Sequence, residues 1–559
     1  MFNFVNKKNT GILKIISLGG VGNVTKNMYV YEYGNDILLV DCGVGFPDEA
    51  MPGIDLVIPD ISYLSDKKNK IRGMLITHGH DDHIGALPYI YNNLPDIPIF
   101  ASRLAAAFIE EKFKEFNINK KVTVLEKNRE LNLGKFRIDW IHITHSIPDT
   151  VNYIIQTPIG NIYHGSDFKF DWTPIDEKPP EIAKIAIAGQ RGILCLLSDC
   201  LGAERKGATL SEKVIEETFE TEIANCPGKF IVTTQSSNIS RLELAIKVGL
   251  KNNRLIATVG KSIEKSLEIA HRLSYVNIPR DKFVRTEDIP KYPPKSLLLL
   301  VSGSQGQESS ALSRITNGDH PSIKINKGDV VVFSSDPIPG NENNVYTLID
   351  TLCRLGARVS YSDVRDELHV SGHGSQNDLL LLLSLTRPKY VFPIGGTFRH
   401  MQQYSLLAQS LGYSDKQIIL GENGRILELS ESDAKLNNQV DLENVMIDGL
   451  GVGDVGDIVL RDRRQMSKDG IVVVIVHLSE GSSKEVGEPD IISRGFVYMK
   501  ESEDLISEAK KVINLSLINN DKNIKEWQFI KKKIEEDLKK FFFKKTKRRP
   551  MIVPVIIEV

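Results

Sequence analysis

Residues 77–85 read T-H-G-H-D-D-H-I-G and set His78, His80, Asp82 and His83 within six positions. Imidazole and carboxylate together are the donor set of Zn²⁺ and similar borderline divalent ions. The chain has only twelve histidines in 559 residues, so three of them within six positions around Asp82 point to a metal loop rather than a polar turn. A neutral imidazole coordinates well only when its other nitrogen is held, so further carboxylates are expected elsewhere.

The flanking residues supply the elements that position this loop. Met74-Leu75-Ile76 reads as a strand that stops at Thr77, and a helical pattern follows from Ile84. A strand end, a short Gly-containing loop and a helix start throw the four side chains into one small volume. Residues 11–45 read as strands of one sheet, with Gly34-Asn35-Asp36 as a hairpin turn and Gly19-Gly20-Val21-Gly22 as a tight strand-to-strand turn rather than a phosphate loop. Asp41 ends one of these strands and is a candidate to orient a metal-bound histidine. Downstream, three more strands run into loops at His145, Asp167 and Asp199, where ligands commonly sit. His142, inside its strand, reads as an ordinary packed residue.

Residues 206–360 change character. Helical patterns over 210–224, 241–251 and 261–273 alternate with apolar runs at 230–233, 255–257, 297–301 and 330–333, which predicts a second α/β domain inserted into the first. Residues 369–427 return to the earlier pattern. The Gly- and Asp-rich stretch 448–457 suits a linker. The tail shows strands over 471–476 and 551–559 and an amphipathic helix with Ile524, Trp527, Ile530, Ile534, Leu538 and Phe541 on one face. Its basic residues (Lys531, Lys532, Lys533, Lys544, Lys545, Lys547, Arg548, Arg549) read first as a solvated face and only second as a nucleic-acid contact.

Length suggests about three domains. With 41% hydrophobic and 25% charged residues the composition is that of a globular protein. A net charge of −2 excludes a uniformly basic nucleic-acid binder but allows a local basic channel. Five scattered cysteines without a C-x-x-C point to free thiols in a reducing compartment. The polar start (Asn3, Asn6, Lys7, Lys8, Asn9) lacks a signal-peptide core, and the apolar runs are too short to span a bilayer, so a cytoplasmic protein without a membrane partner is expected.

The ordered set Asp41, H-x-H-x-D-H, His145, Asp167, insert and S-G-H-G resembles a β-CASP nuclease of the metallo-β-lactamase superfamily, and nearly the whole chain is similar to the ribonuclease J family. The motifs are T-H-S-I-P-D at 144–149, D-F-K-F-D at 167–171, S-G-S-Q-G at 302–306, A-L-S-R-I at 311–315, P-I-P-G-N-E at 337–342, H-V-S-G-H-G-S-Q at 369–376, D-G-L-G-V-G-D-V-G at 448–456 and R-R-P-M-I-V-P-V-I at 548–556. The resemblance implies an α/β fold: a metallo-β-lactamase αββα sandwich (1–205 and 363–445), an inserted β-CASP α/β domain (206–362), a linker (446–464) and a small C-terminal α/β domain (465–559) used in dimerisation.

It also implies a Zn²⁺-dependent ribonuclease on single-stranded RNA, with Mn²⁺ or Mg²⁺ as alternatives. The activity would be 5′→3′ exonucleolytic from 5′-monophosphate ends, with some endonucleolytic cleavage, in rRNA processing and mRNA decay. His78, His80 and His145 would hold one ion, and Asp82, His83 and bridging Asp167 the other. Asp82, Asp199 and His373 are the implied catalytic groups, His373 as general acid. Ser237, Asn238, His369, Val370, Ser371, Gly372, His373 and Gly374 would bind the 5′-phosphate, and Gly53, Asp55 and Asp448 match a structural Ca²⁺ site. A homodimer or homotetramer, or a hetero-oligomer with a paralogous ribonuclease J, is implied.

Departures from the family pattern matter as much. The family has a ligand His in P-V-H-G-E, whereas this chain has Pro393-Ile394-Gly395-Gly396-Thr397, so Gly395 stands in that place. His400, five residues on, could replace it only if the loop were rebuilt. Asp199 is followed by Cys200-Leu201-Gly202 instead of small polar residues, and Gly22-Asn23-Val24-Thr25 replaces G-E-I-G. An active ribonuclease with a weakened second metal position is therefore weighed against a feeble paralogue that binds RNA and partners an active subunit. A small-molecule hydrolase on the same core would leave the insert unexplained.

Overall fold

Strands rich in β-branched and aromatic residues, alternating with turn glycines, build two facing sheets around one apolar core. The computed structural model describes residues 11–126, 130–338, 340–479, 487–497, 502–518 and 527–558. The polar residues 1–10, Pro339 of P-I-P-G-N-E, Ile524 and the Trp527 side chain lie outside the described residues.

The first compact unit spans Met1–Phe46 and Val57–Val445. Its larger sheet has eight strands in the order Ala434–Gln439, Arg425–Leu429, Leu13–Gly19, Met28–Tyr33, Asp36–Val40, Ile71–Leu75, Ile99–Ala101, Thr123–Val124. Its partner has six, in the order Tyr390–Ile394, Cys195–Asp199, Gly160–Gly165, Val151–Thr157, Phe136–His142, Leu131–Leu133. Tyr29, Tyr31, Leu38 and Leu75 of the first pack with Ile138, Tyr153, Ile162 and Leu196 of the second. Burying each such side chain contributes roughly 1.5–3 kcal/mol. Strands from both ends of this unit share each sheet, so residues after the insert complete what residues before it begin.

The inserted segment forms a five-stranded parallel sheet: Leu255–Val259, Leu297–Val301, Phe230–Thr233, Val330–Phe333, Arg358–Ser360. The run 297–301 is buried throughout, as a parallel strand covered on both faces should be. The expected helix over 210–224 begins only at Val214, because Glu212 is drawn into the buried contacts described below.

The second unit comprises Pro47–Leu56 and Met446–Val559. It carries a three-stranded sheet, Asp490–Arg494, Ile471–Leu478, Met551–Glu558, and the helices Glu503–Ile518 and Trp527–Thr546. Ile530, Ile534, Leu538 and Phe542 form the buried stripe, and Phe541 is only partly buried against it. The basic tail is partly committed: Lys545 pairs with Glu508 at 2.6 Å and Arg548 donates to the Phe496 carbonyl at 2.9 Å. The stretch expected as a linker is structured. Asp448 pairs with Gly451 across a turn at Gly449 (φ +57°), and helix Asp457–Asp469 follows. Glycines read as flexible from sequence serve here as turn residues. All five cysteines are free, with Cys353 exposed and the others buried. No described helix is long and apolar enough to cross a membrane.

Candidate metal centre and its surroundings

Strand Asp36–Val40 runs parallel to Ile71–Leu75, so their carboxyl ends lie side by side. Asp41 adopts φ +59°, a left-handed backbone uncommon outside glycine. Its buried carboxylate accepts the Thr77 N–H and hydroxyl, both at 2.8 Å, and faces His83 Nδ1 at 2.8 Å. The one-turn helix Asp81–Ile84 carries His83 to that point. Two more imidazoles have one ring nitrogen held by the chain. His78 Nδ1 lies 3.0 Å from the Thr77 hydroxyl, and His145 Nδ1 lies 2.6 Å from the Gly372 carbonyl.

With their outer nitrogens held, the inner nitrogens converge. His80 Nδ1 is 3.2 Å from both His78 Nε2 and His145 Nε2. Donor atoms of His78, His80 and His145 all lie within 4.8 Å of one another, as do those of His78, His83 and Asp167, and those of His145, Asp167 and His373. Burial and the neighbouring imidazoles push His78 and His145 well below the ordinary histidine range, and burial brings His80 to about 4. Neutral imidazoles packed this closely are suited to share a divalent cation, so the donor set fits a metal.

The carboxylate side is different in charge. Burial disfavours protonated His83 and His373, yet Asp167 and Asp82 raise the first, and Asp199 and Asp167 raise the second to about 9. Asp167 is held well below the carboxylate range, because His83 and His373 outweigh its burial. Asp199, at the end of strand Cys195–Asp199, faces His373 Nδ1 at 2.8 Å, and His373 Nε2 lies 3.9 Å from Asp167. Asp82 stands further out. Its carboxylate is 3.7 Å from His83 Nε2, and burial with nearby Asp167 raises it to about 6.

Strand Tyr390–Ile394 runs beside Cys195–Asp199 and puts Ile394 opposite Asp199, so Gly395 falls at the centre. Gly395 has φ +66° and donates its N–H to the Gly20 carbonyl at 2.7 Å. A Cβ there would lie 3.6 Å from Asp199 Oδ1 and 3.8 Å from Asp167 Oδ1, in ordinary contact. A side chain at 395 would thus be aimed between the carboxylates, and glycine offers no donor. His400 does not replace it: its Nδ1 accepts the Thr397 N–H at 3.2 Å as a helix cap and its Nε2 faces Glu204 at 3.5 Å. Two of the departures, at Gly395 and at Gly22, adjoin, since Val21–Gly22 pairs with Gly396–Thr397. His142 is half-buried, with Nε2 3.0 Å from the Lys178 carbonyl.

Among the residues expected to bind the phosphate, Gly372 serves His145, and a Cβ on it would sit 2.7 Å from His145 Cε1. Gly374 N–H donates to the Phe168 carbonyl at 2.6 Å and His373 N–H to the Ser371 hydroxyl at 3.1 Å. Asn238 caps helix Ile239–Lys251 by accepting the Arg241 N–H at 3.0 Å, beside Ser237 in the same turn. Val370 is buried. His369 Nδ1 is buried with no hydrogen-bond partner among the described residues. At the expected Ca²⁺ position the donors do not fit a free ion. Arg463 donates to the Gly53 carbonyl at 3.2 Å and pairs with Asp448, while Asp55 accepts the Gly449 N–H at 2.8 Å. The cation these groups hold is a guanidinium.

Several residues went unread in the sequence. Asn27 Nδ2 lies 3.2 Å from His83 Nε2, and Lys169, Glu212 and Arg241 form a buried ionic cluster. The lysine inside D-F-K-F-D was the one available signal, since a charge flanked by phenylalanines needs a buried partner.

A histidine-rich centre between two facing sheets, closed by a loop that returns after a parallel α/β insert, defines a metallo-β-lactamase-type hydrolase with a β-CASP domain. Family models agree: the metallo-β-lactamase superfamily matches residues 21–174, the ribonuclease J β-CASP domain 227–352, the Zn-dependent metallo-hydrolase RNA specificity domain 356–419, and the ribonuclease J C-terminal domain 458–559. The chain is 39% identical to Ribonuclease J2 of Bacillus subtilis (strain 168), covering 99% of this chain and 100% of that protein. It is 38% identical to Ribonuclease J 1 of Streptococcus pyogenes serotype M3, covering 97% of each. With Ribonuclease J 2 of Staphylococcus aureus (strain NCTC 8325 / PS 47) it shares 36% identity over 100% of both chains. The chain belongs to the ribonuclease J family of nucleases. The fold alone is shared with a crystal structure of a protein of unknown function from Enterococcus faecalis V583 (TM-score 0.55, 14% identity, 75% of this chain and 100% of that one).

Proposed function

We propose that this chain is a metal-dependent ribonuclease that degrades single-stranded RNA 5′→3′ from monophosphorylated ends and also cleaves internally, in cytoplasmic rRNA maturation and mRNA decay. The observation that supports it most is the convergence of His78, His80 and His145 on one another, with Asp167 beside His78 and His145 and the Asp199–His373 pair brought against the same carboxylate. Zn²⁺ is the favoured ion, held by His78, His80 and His145, with Asp82, His83 and Asp167 for a second. When bound, such an ion supplies Lewis-acid chemistry, lowering the pKa of water and neutralising charge that develops on the phosphodiester.

The chain's own groups do the rest. Asp41 and the Gly372 carbonyl hold His83 and His145 in orientation. Asp199 fixes His373 so that Nε2 faces the reacting side, from which it protonates the leaving 3′-oxygen. His369, neutral because burial and Arg241 lower it to about 4, offers an imidazole to a terminal phosphate beside Ser371, Ser237 and Asn238.

Gly395 favours a second reading, in which weak occupancy of the Asp82–His83–Asp167 position leaves a feeble subunit that binds RNA within a hetero-oligomer with an active paralogue. Purified protein separates the two. Metal content per subunit and cleavage of 5′-monophosphate RNA with Zn²⁺ or Mn²⁺ are measured beside His80→Ala. The enzyme reading expects clear cleavage that the variant loses, and wild-type turnover no faster than the variant's would sink it.

A further inference from the structure

Beside the histidines lies another buried cluster, built of full charges. Arg241 is completely enclosed; its Nε and Nη2 donate to Glu212 at 2.9 and 2.7 Å, and its Nη1 to the Ser334 carbonyl and hydroxyl at 2.8 and 2.7 Å. The same Nη1 lies 3.3 Å from the Leu368 carbonyl. Lys169 Nζ sits 3.3 Å from Glu212 and 3.7 Å from Asp171, whose carboxylate accepts the Glu212 N–H at 3.0 Å. The Thr144 hydroxyl donates to the Lys169 carbonyl at 2.6 Å and accepts the Asp171 N–H at 3.0 Å. Two cations thus balance two carboxylates.

Residues of this cluster stand within three positions of residues assigned to the candidate site. Thr144 precedes His145, Lys169 follows Asp167 by two positions, Leu368 precedes His369, and Arg241 follows Asn238 by three. Removing such charges from water costs several kcal/mol per ion, and apolar side chains of similar volume are often equally stable or better. Stability is therefore a poor reason for the cluster. What a guanidinium–carboxylate fork adds over packed leucines is direction, because its planar donors fix angle and distance together.

We propose that Glu212, with Arg241 and Lys169, is a positioning residue that locks the loops bearing His145, Asp167 and His369–His373 in one register. The inserted domain and the catalytic strands then act as one site. Only the kinetic arm of the test rests on the ribonuclease reading.

The test compares Glu212→Gln and the neutral quadruple Lys169→Met, Asp171→Asn, Glu212→Leu, Arg241→Met with wild type. Hydrogen exchange is followed in peptides over 144–149, 167–171 and 368–374, with strand Leu13–Gly19 as the reference. The proposal expects a near-native denaturation midpoint for the quadruple and at least about tenfold faster exchange confined to the three loops. It also expects kcat on single-stranded RNA to fall at least about tenfold with KM within about twofold. Loops that exchange at the wild-type rate, or a rise equal in the reference strand, would overturn it. If the quadruple does not fold, the loop-confined gain must appear in Glu212→Gln, and global unfolding of both variants makes the cluster a stability element and defeats the proposal. Exchange needs no turnover, so a wild type that fails to cleave RNA removes the function reading and leaves this inference standing.

Discussion

The centre and the ionic cluster beside it are both buried, polar and drawn from the same loops, yet they are opposites. In the cluster every charge has a partner within the chain: Glu212 meets Arg241 and Lys169, and Asp171 meets Lys169. In the centre, neutral imidazoles crowd one another at 3.2 Å. Closure marks a part of the fabric, and unspent donors mark a place for something from outside. Arg463 belongs to the closed kind, since it supplies the cation to Gly53 and Asp448.

If the contrast holds, stranding a charge in the closed cluster should cost stability, and removing a donor from the open one should cost metal. Glu212→Ala strands the buried Arg241, takes one of two carboxylates from Lys169, and should cost about 3–5 kcal/mol in urea denaturation of the metal-free protein. His80→Ala should lose metal and at least about 100-fold in cleavage rate, with a smaller loss of metal-free stability than Glu212→Ala. Equal losses would erase the distinction. Gly395→His, aimed at Asp199 and Asp167, should tighten binding of a second ion by about 10–100-fold in a competition titration. Its φ of +66° works against it, at about 1–2 kcal/mol.

The smallest effect is one of pH. Burial alone would raise Glu212, but Arg241 and Lys169 hold it at about 2 against an ordinary 4.5. A depressed carboxylate stabilises the fold above its unfolded pKa and loses that contribution as pH falls through its folded one. The stability gap between wild type and Glu212→Gln should be complete above pH 4.5 and close progressively towards pH 2. A gap that stays constant over that window would mean that the charge is not what matters.

The open site was legible in the sequence because its residues announce themselves. His78, His80 and His83 cluster within six positions, and Asp41, His145, Asp167 and Asp199 stand at or just past the end of a strand, a signal that survives without coordinates. The closed cluster was not, because Glu212 and Arg241 stand 29 positions apart on ordinary helix and loop patterns. Their meaning is set only by a burial that tertiary packing decides. The same limit explains the linker expectation, since glycine is equally at home in a hinge and in the hairpin turn at Gly449. Gly395 was readable as a missing donor, whereas the helix-capping engagement of His400 required the structure.

The bond from His145 Nδ1 to the Gly372 carbonyl spans 227 positions. During synthesis at about 5–20 residues per second, that separation is tens of seconds of waiting. Through that interval His78, His80 and His145 have all been made, but the carbonyl that turns the last of them inward has not. A ribosome still translating the insert therefore carries a nascent chain with an unfinished metal trap. Orientation of the donor set waits for residue 372, long after its last histidine has been made.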